Sequence, residues 1–596
     1  MTSTTAPASS PLDFLARHRA LVAVLAAAAV MRLAGIGDWW LNPDEGIYYS
    51  ILTRAEFGDF WLEVSDNAHP PLYYLLLRAI AVLTWDFLWF RLVSVVCGVL
   101  AVAGVWAAAA QLSRTAPAAG DRSSAGASRS AVHASVAGLV AGLILAFAPG
   151  AVELSQVMRP YMMLVALISW ALFFLLRTLD GGVDRGAAAT DRDLVAYLSL
   201  GCLALLTHYS AVFAFAVFGL LVLHDGIARG FTRPAWRRLA LAHAVPATVL
   251  AGLWLLHLRV LSGSTLADEA LDGWLRFYMI ETPGDVWWSI LGFQRLVALP
   301  WLRAPMALAL VAAIGIAAAT REARVAIVGG APFLLAVGAA ALGAYPLGAT
   351  RHSAWLMAFA VPVVGWFVAS LLDVEWGAEA RVRLAVLALP LLFGGPLGSL
   401  VGVQHAPWAP SDQVLLQEDL GEALAILDPS AQPELIVVSE QTFYLLMPFW
   451  PREREAAVFS PDGSAFHFAW GGRRVLGSDA WDFTLRAEAD TPGVHTVDGV
   501  FAVHLGRFLD NASNAFPELG LAARDDALVV AGGWRPAFVG QLRLLDEQSP
   551  VIRTRHEVPG LYAFVVGLEP LGVALGIRTR PADAPPPQRD GNPPTP

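Results

Sequence analysis

Asn42-Pro43-Asp44-Glu45, with His69-Pro70-Pro71-Leu72-Tyr73-Tyr74 following some two dozen residues later, places an acidic pair just beyond the first long apolar segment, Leu21 to Ile36. A carboxylate pair at the mouth of a membrane span is costly unless it faces water, a cation or a polar substrate. In a chain otherwise built to lie in lipid, the pair points to chemistry at the membrane surface.

The rest of the chain is indeed built for lipid. Its 596 residues are 56% hydrophobic and only 15% charged, with a mean hydropathy of +0.55. Apolar runs of roughly 17–25 residues, long enough to cross a bilayer, recur near 20–36, 89–111, 132–150, 161–177, 194–208, 210–224, 239–259, 304–319, 324–344, 353–371 and 384–403. The expected fold is therefore a polytopic α-helical membrane protein of about eleven spans plus interfacial helices. Leu72 to Trp85 is short and carries Arg78 at its centre, which predicts a helix lying in the interface.

Arginine placement sets the orientation. With the N-terminus inside, the cytoplasmic loops hold Arg114, Arg122, Arg129, Arg185, Arg192, Arg229, Arg233, Arg237, Arg238, Arg321, Arg324, Arg381 and Arg383. This is the excess that the positive-inside rule requires. Making Leu72–Trp85 a span would invert every later loop and put that excess outside. Residues 1–19 then form a cytoplasmic tail ending in Arg17-His18-Arg19, and the first span is a retained anchor. The loop Leu261–Arg303 is external, with Trp287, Trp288 and Trp301 as interface anchors.

Everything after about residue 404 is external as well, and its character changes. From His405 onward 25 acidic residues stand against 14 arginines, so the net charge of −10 lies there. That acidity excludes nucleic acid as a partner. Helical periodicity in Val414–Leu427, a buried strand at Glu434–Ser439 and a helix at Gln441–Met447 begin an α/β alternation. Val500–Leu505, Ala527–Ala531 and Leu561–Val566 read as further strands, and Trp534–Leu545 as a helix. The organisation expected is a membrane catalytic domain over 20–403, an extracytoplasmic α/β domain over 404–580 and a disordered Pro-rich tail over 581–596. Cys97 and Cys202 both fall in apolar segments and have no metal-ligand spacing.

The topology gathers Arg32, Asp44, Glu45, His69, Arg159, Tyr161, His208, Tyr209, Arg351 and His352 on the external side. Carboxylates can deprotonate a hydroxyl or hold a cation, and arginine suits a phosphate. Such a set fits transfer of a group from a lipid-phosphate donor to an acceptor in the aqueous compartment. Arg32 is expected to pair with Asp38 or Asp44, and Arg78 and Arg91 to anchor at the interface.

These motifs resemble the GT-C superfamily of membrane glycosyltransferases, in particular its protein O-mannosyltransferase and lipid A aminoarabinose transferase branch. The resemblance rests on Asn42-Pro43-Asp44-Glu45 and His69-Pro70-Pro71-Leu72. Phe90-Arg91-Leu92, Gln156-Val157-Met158-Arg159-Pro160-Tyr161, Thr207-His208-Tyr209 and Tyr345-Pro346-Leu347-Gly348-Ala349-Thr350-Arg351-His352 extend it. It covers roughly residues 20–403. It implies a polyprenyl-phosphate sugar as donor, membrane lipids as surroundings and an extracytoplasmic glycan, lipid or protein as acceptor. Asp44 would be the general base and Glu45 its partner, with His69, Arg159, Tyr161, His208, Arg351 and His352 binding substrate. A divalent metal ion, if one takes part, would sit on Asp44 and Glu45. A transporter or flippase of lipid-linked sugars would share the spans and the arginines but has less need for Asp44 at a fixed site; a non-catalytic envelope assembly protein would work through the external α/β domain.

Overall fold

A computed structural model describes residues 18–114, 124–181, 188–261, 274–373, 415–427, 433–478, 500–532 and 550–569, residue 571 and a few residues between 539 and 547. It has two compact units, one comprising Met1–Ile36 and Glu56–Pro407, the other Gly37–Ala55 and Trp408–Pro596.

The first unit is helical, and its helices follow the apolar runs. They are Arg19–Leu33, Phe87–Arg114, Ser124–Phe147, Tyr161–Asp180, Ala188–Leu205, Ala211–Arg229, Arg233–Leu253, Arg303–Ala319, Ala323–Ala341 and Met357–Asp373. Among the described residues eight helical segments are long and apolar enough to cross a membrane. The expected span at 384–403 and the tail at 581–596 lie outside the described residues. Leu72–Ala81 is a helix of 10 residues. At about 15 Å it is too short to cross. A second short helix, Phe57–Ser65, stands beside it, burying Phe60 and Val64 and exposing Phe57 and Leu62. Arg78 stacks over the Phe60 ring at 4.4 Å. Trp287, Trp288 and Trp301 are exposed, as interface anchors must be.

Polar side chains hold the bundle where the hydrophobic effect cannot, because lipid is as apolar as the helix faces. Arg32 is fully buried. It does not pair with Asp38 or Asp44: its guanidinium donates to Ser155 Oγ at 3.0 Å and to the carbonyls of Ala146 and Leu145, both at 2.9 Å. Those carbonyls belong to the last turn of Ser124–Phe147, which lacks acceptable intrahelical donors, so one arginine ties two helices together. Room for it comes from Gly98, where a Cβ would come within 2.6 Å of Arg32 Nε. Gln156 Nε2 donates to Ala34 O at 2.6 Å and closes the end of the first helix. Arg91 is likewise buried rather than anchored at the interface, donating to Ile36 O at 2.9 Å.

A second polar cluster lies at the far end of Tyr161–Asp180. Arg324 donates Nε to Asp225 Oδ1 at 2.9 Å and Nη1 to Asp180 Oδ1 at 2.7 Å, while Gln111 donates to Asp180 Oδ2 at 2.6 Å. Arg229 adds a bond to Leu179 O at 2.8 Å. Four helices, Phe87–Arg114, Tyr161–Asp180, Ala211–Arg229 and Ala323–Ala341, meet in this network.

Among the described residues the second unit carries a seven-stranded sheet in the order β2-β3-β4-β1-β5-β7-β6. The strands are β1 (Leu435–Val438), β2 (Val458–Phe459), β3 (Ala465–Trp470), β4 (Arg473–Ser478), β5 (Asp526–Gly532), β6 (Ile552–Val558) and β7 (Leu561–Gly567). β4, β1 and β5 run parallel, and antiparallel hairpins extend both edges. The strands expected near 434–439, 527–531 and 561–566 are β1, β5 and β7. Val500–Leu505 is not a strand. It opens the helix Val500–Ala515, in which Phe508 and Ala512 reach the sheet core with Leu509 and Ala515 beside them. That three-to-four spacing decides for helix over a short apolar run. Most of the helix expected at Trp534–Leu545 lies outside the described residues.

Gly37–Ala55 groups with this sheet although it follows the first span in sequence. Trp40 N donates to Leu415 O at 2.8 Å and Gln417 N to Asp38 O at 2.9 Å, with an antiparallel bridge between Trp39 and Leu416. The helix Pro43–Leu52 packs against the helix Glu440–Leu445 that follows β1.

The Arg324 network yields a stability prediction. Asp225→Ala leaves the buried guanidinium short of its partner and should cost about 3 kcal/mol or more. The double replacement Arg324→Met, Asp225→Leu should restore most of that loss. Thermal unfolding in detergent measures both; equal destabilisation in the double variant would contradict the assignment.

Candidate functional site

The acidic pair begins a helix, and the local sequence explains why. Asn42 Oδ1 accepts from Glu45 N at 3.0 Å, and Glu45 Oε2 accepts from Asn42 N at 3.2 Å. This is a complete capping box, with Pro43 in the first turn where its missing N–H costs nothing. One Glu45 carboxylate oxygen therefore serves the cap. Asp44 lies one residue earlier on the same turn, where the helix dipole favours a carboxylate. Both are buried.

In the helical unit, four rings come together from four distant segments. His69 precedes the short helix Leu72–Ala81, Tyr161 starts its helix, His208 lies in the turn before Ala211–Arg229, and His352 lies in the 3₁₀ segment Arg351–Leu356. Ring centroids are 5.0 Å apart for His69 and His208, 5.4 Å for Tyr161 and His208, 5.9 Å for His69 and Tyr161, and 6.0 Å for Tyr161 and His352. His69, Arg159, Tyr161 and His208 are buried, and Arg351 and His352 partly so. All six residues expected to bind substrate thus belong to one unit, while Asp44 and Glu45 belong to the other.

The charge state of the cluster follows from burial. The His69 imidazole is held well below its usual range by burial first, then by His208, Arg159, His352 and Arg351. Burial, with Arg159 adding to it, pushes His208 down to about 3. Both are neutral at physiological pH. His208 Nδ1 accepts from Ser210 N at 3.2 Å, so its proton sits on Nε2 and that edge is a donor. The Arg159 backbone is fixed in turn: Ser94 Oγ donates to its carbonyl at 3.1 Å and lies 2.8 Å from the Tyr73 hydroxyl. The result is two guanidiniums among neutral rings, a setting suited to an anion.

Tyr209 stands apart from this cluster. Its hydroxyl bonds His257 Nδ1 in the π-helical turn Trp254–Leu258, and His257 Nε2 donates to Val64 O at 2.8 Å. Sequence reasoning passed over Glu153, in the short helix Pro149–Gln156. Burial holds its carboxyl well above the usual range while Arg351 pulls the other way. A lone acid between two apolar runs was the signal. As for a metal ion, Glu45 gives one carboxylate oxygen to its cap, and no group of three or more ligating side chains gathers among the described residues.

No protein-family model and no curated protein matches the chain. Solved structures do. The oligosaccharyltransferase of Archaeoglobus fulgidus in its apo form aligns over 91% of this chain and 71% of its own, at 10% identity and a TM-score of 0.52. The chain shares the overall fold of that archaeal enzyme. ArnT from Cupriavidus metallidurans aligns over 93% of this chain and 99% of its own at 14% identity and a TM-score of 0.45. Its form bound to undecaprenyl phosphate aligns over 92% and 98% at 15% identity and 0.44. In this chain the ring and arginine cluster occupies the opposite end of Tyr161–Asp180 from the Arg324 network.

The neutral imidazoles make stability depend on pH with a definite sign. His208 titrates at 6.5 when unfolded and about 3 when folded, so the unfolded chain binds the proton first as pH falls. Its contribution is complete above about pH 6.5 and lost progressively toward pH 3, with His69 acting in the same direction. The melting temperature in detergent should fall through this window, and His208→Asn should flatten the fall. A slope identical to wild type would contradict the buried neutral His208.

Proposed function

We propose that the protein is a multi-pass membrane glycosyltransferase that moves a sugar, hexosyl or pentosyl, from a polyprenyl-phosphate donor to an extracytoplasmic acceptor: an envelope glycan, lipid or protein. The observation that carries this reading is the cluster of Arg159 and Arg351 with the rings of His69, Tyr161, His208 and His352, set in a bundle of GT-C fold. The arginine distribution supports an inner-membrane location with the sheet domain outside.

The chemistry is a single displacement. Asp44 takes the proton of the acceptor hydroxyl as that oxygen bonds the anomeric carbon, and the bond from that carbon to the phosphate oxygen breaks. The polyprenyl phosphate leaves with the electron pair, its charge met by Arg159 and Arg351. Attack from the opposite side inverts the anomeric centre. Neutral histidines suit this task better than charged ones, since His208 Nε2–H can donate to phosphate without binding it so tightly that release slows. Glu45 keeps the helix that carries Asp44 started at the right residue.

Two substitutions separate these roles. Asp44→Asn should keep donor affinity and lose turnover by a factor on the order of 10²–10⁴, because an amide cannot accept the proton. Arg351→Ala should weaken donor binding as well as turnover, its charge meeting phosphate in ground and transition states alike. Donor affinity and turnover in nanodiscs measure both. Near-wild-type turnover of Asp44→Asn would remove the base and leave a carrier of lipid-linked sugars as the better reading.

A further inference from the structure

The helix that carries Asp44 is built into the sheet domain, and the contacts are unusually close. Gly46, one turn into that helix, faces the backbone of the helix Glu440–Leu445. A Cβ there would overlap the Tyr444 carbonyl oxygen and stand 2.5 Å from its carbon. Only glycine allows the approach, because the obstacle is backbone and cannot rotate away. At the helix entrance Trp40 Nε1 donates to Leu445 O at 2.8 Å, and its ring stacks on Phe449 with centroids 5.4 Å apart. At the other end Arg454 bonds Ser50 Oγ. The Glu440–Leu445 helix is itself pinned to the sheet. Ser439 caps it, and Gly532 N, the last residue of β5, donates to Thr442 Oγ1 at 2.9 Å.

The sequence of contacts thus runs from the carboxyl ends of the parallel strands β1 and β5, through Thr442 and Tyr444, to Gly46 and so to Asp44. The carboxyl ends of parallel strands are where open α/β sheets place their functional groups. We propose that the sheet domain sets the position of the catalytic carboxylate, with Gly46, Trp40 and Arg454 as positioning residues. This inference rests on Asp44 being the base. It gives the C-terminal domain a direct part in the reaction, and it accounts for the grouping of Gly37–Ala55 with that domain.

The test compares Gly46→Ala, Arg454→Ala and Arg454→Lys with Asp44→Asn in the full chain, measuring turnover, affinity for a polyprenyl-phosphate sugar and melting temperature. Gly46→Ala must push the acidic helix away from Tyr444. A displacement near 1 Å is expected to lower turnover by about 10²-fold, with donor affinity unchanged and the melting temperature lowered by the clash without loss of the fold. Arg454→Ala should show the same split to a smaller degree, and Arg454→Lys should recover part of it. Gly46→Ala added to Asp44→Asn should cost nothing further, since the group it displaces is already gone. An inactive Asp44→Asn beside fully active Gly46→Ala and Arg454→Ala overturns the positioning role and leaves the base intact. An active Asp44→Asn overturns both. If Gly46→Ala does not fold, the two Arg454 variants decide, because neither introduces a clash.

Discussion

A polar group inside a helical membrane bundle has no water to turn to, so each must be satisfied by protein or put to use. The two ends of Tyr161–Asp180 answer that constraint in opposite ways. At Asp180 the arginines are matched with carboxylates: Arg324 bonds both Asp225 and Asp180, and Gln111 takes a remaining oxygen. At Tyr161 the arginines sit among imidazoles that burial keeps neutral, and the nearby Glu153 carboxyl is driven toward its uncharged form. The first end is a closed structural knot. The second gathers Arg159 and Arg351 with the neutral rings, and it is the end to which we assign the donor phosphate.

Much of this was legible in the sequence because the membrane simplifies the code. Length and apolarity located every described span, and the central Arg78 marked Leu72–Ala81 as too polar and too short to cross. The four rings were also readable, since each lies at a helix end on one predicted side of the bundle. What the sequence hid were interactions between a side chain and a distant backbone. Arg32 looked like a partner for Asp38 or Asp44, yet carbonyls at Leu145 and Ala146 take it. No pattern of residue types encodes such a bond. Glu45 reads as the partner of Asp44, and the Asn42-x-x-Glu45 spacing that also makes it a cap stands in the same four residues.

The sheet domain was harder to read for a different reason. β3 and β4 contain His467, Arg473 and Arg474, and β6 alternates charges as Arg553, Arg555 and Glu557 do. Those polar residues interrupt the apolar run by which β1 and most of β5 are recognised, although β3 and β4 are themselves largely buried. Val500–Leu505 misled in the opposite sense, apolar enough for a strand but continued by a helical spacing down to Ala515. The grouping of the acidic helix with this domain could not be read at all, because it depends on a glycine meeting a backbone carbonyl some four hundred residues away.

The central claim is that the protein cleaves the bond between sugar and lipid phosphate. The direct measurement places purified protein in nanodiscs with a polyprenyl-phosphate sugar labelled in the sugar, adds cell-envelope extract, and follows the label. A transferase moves the label into an acceptor fraction and releases free polyprenyl phosphate, in amounts that fall together in Asp44→Asn. Label that stays on the lipid across a panel of hexosyl and pentosyl donors, while lipid-linked sugar still crosses the bilayer in vesicles, would contradict the account.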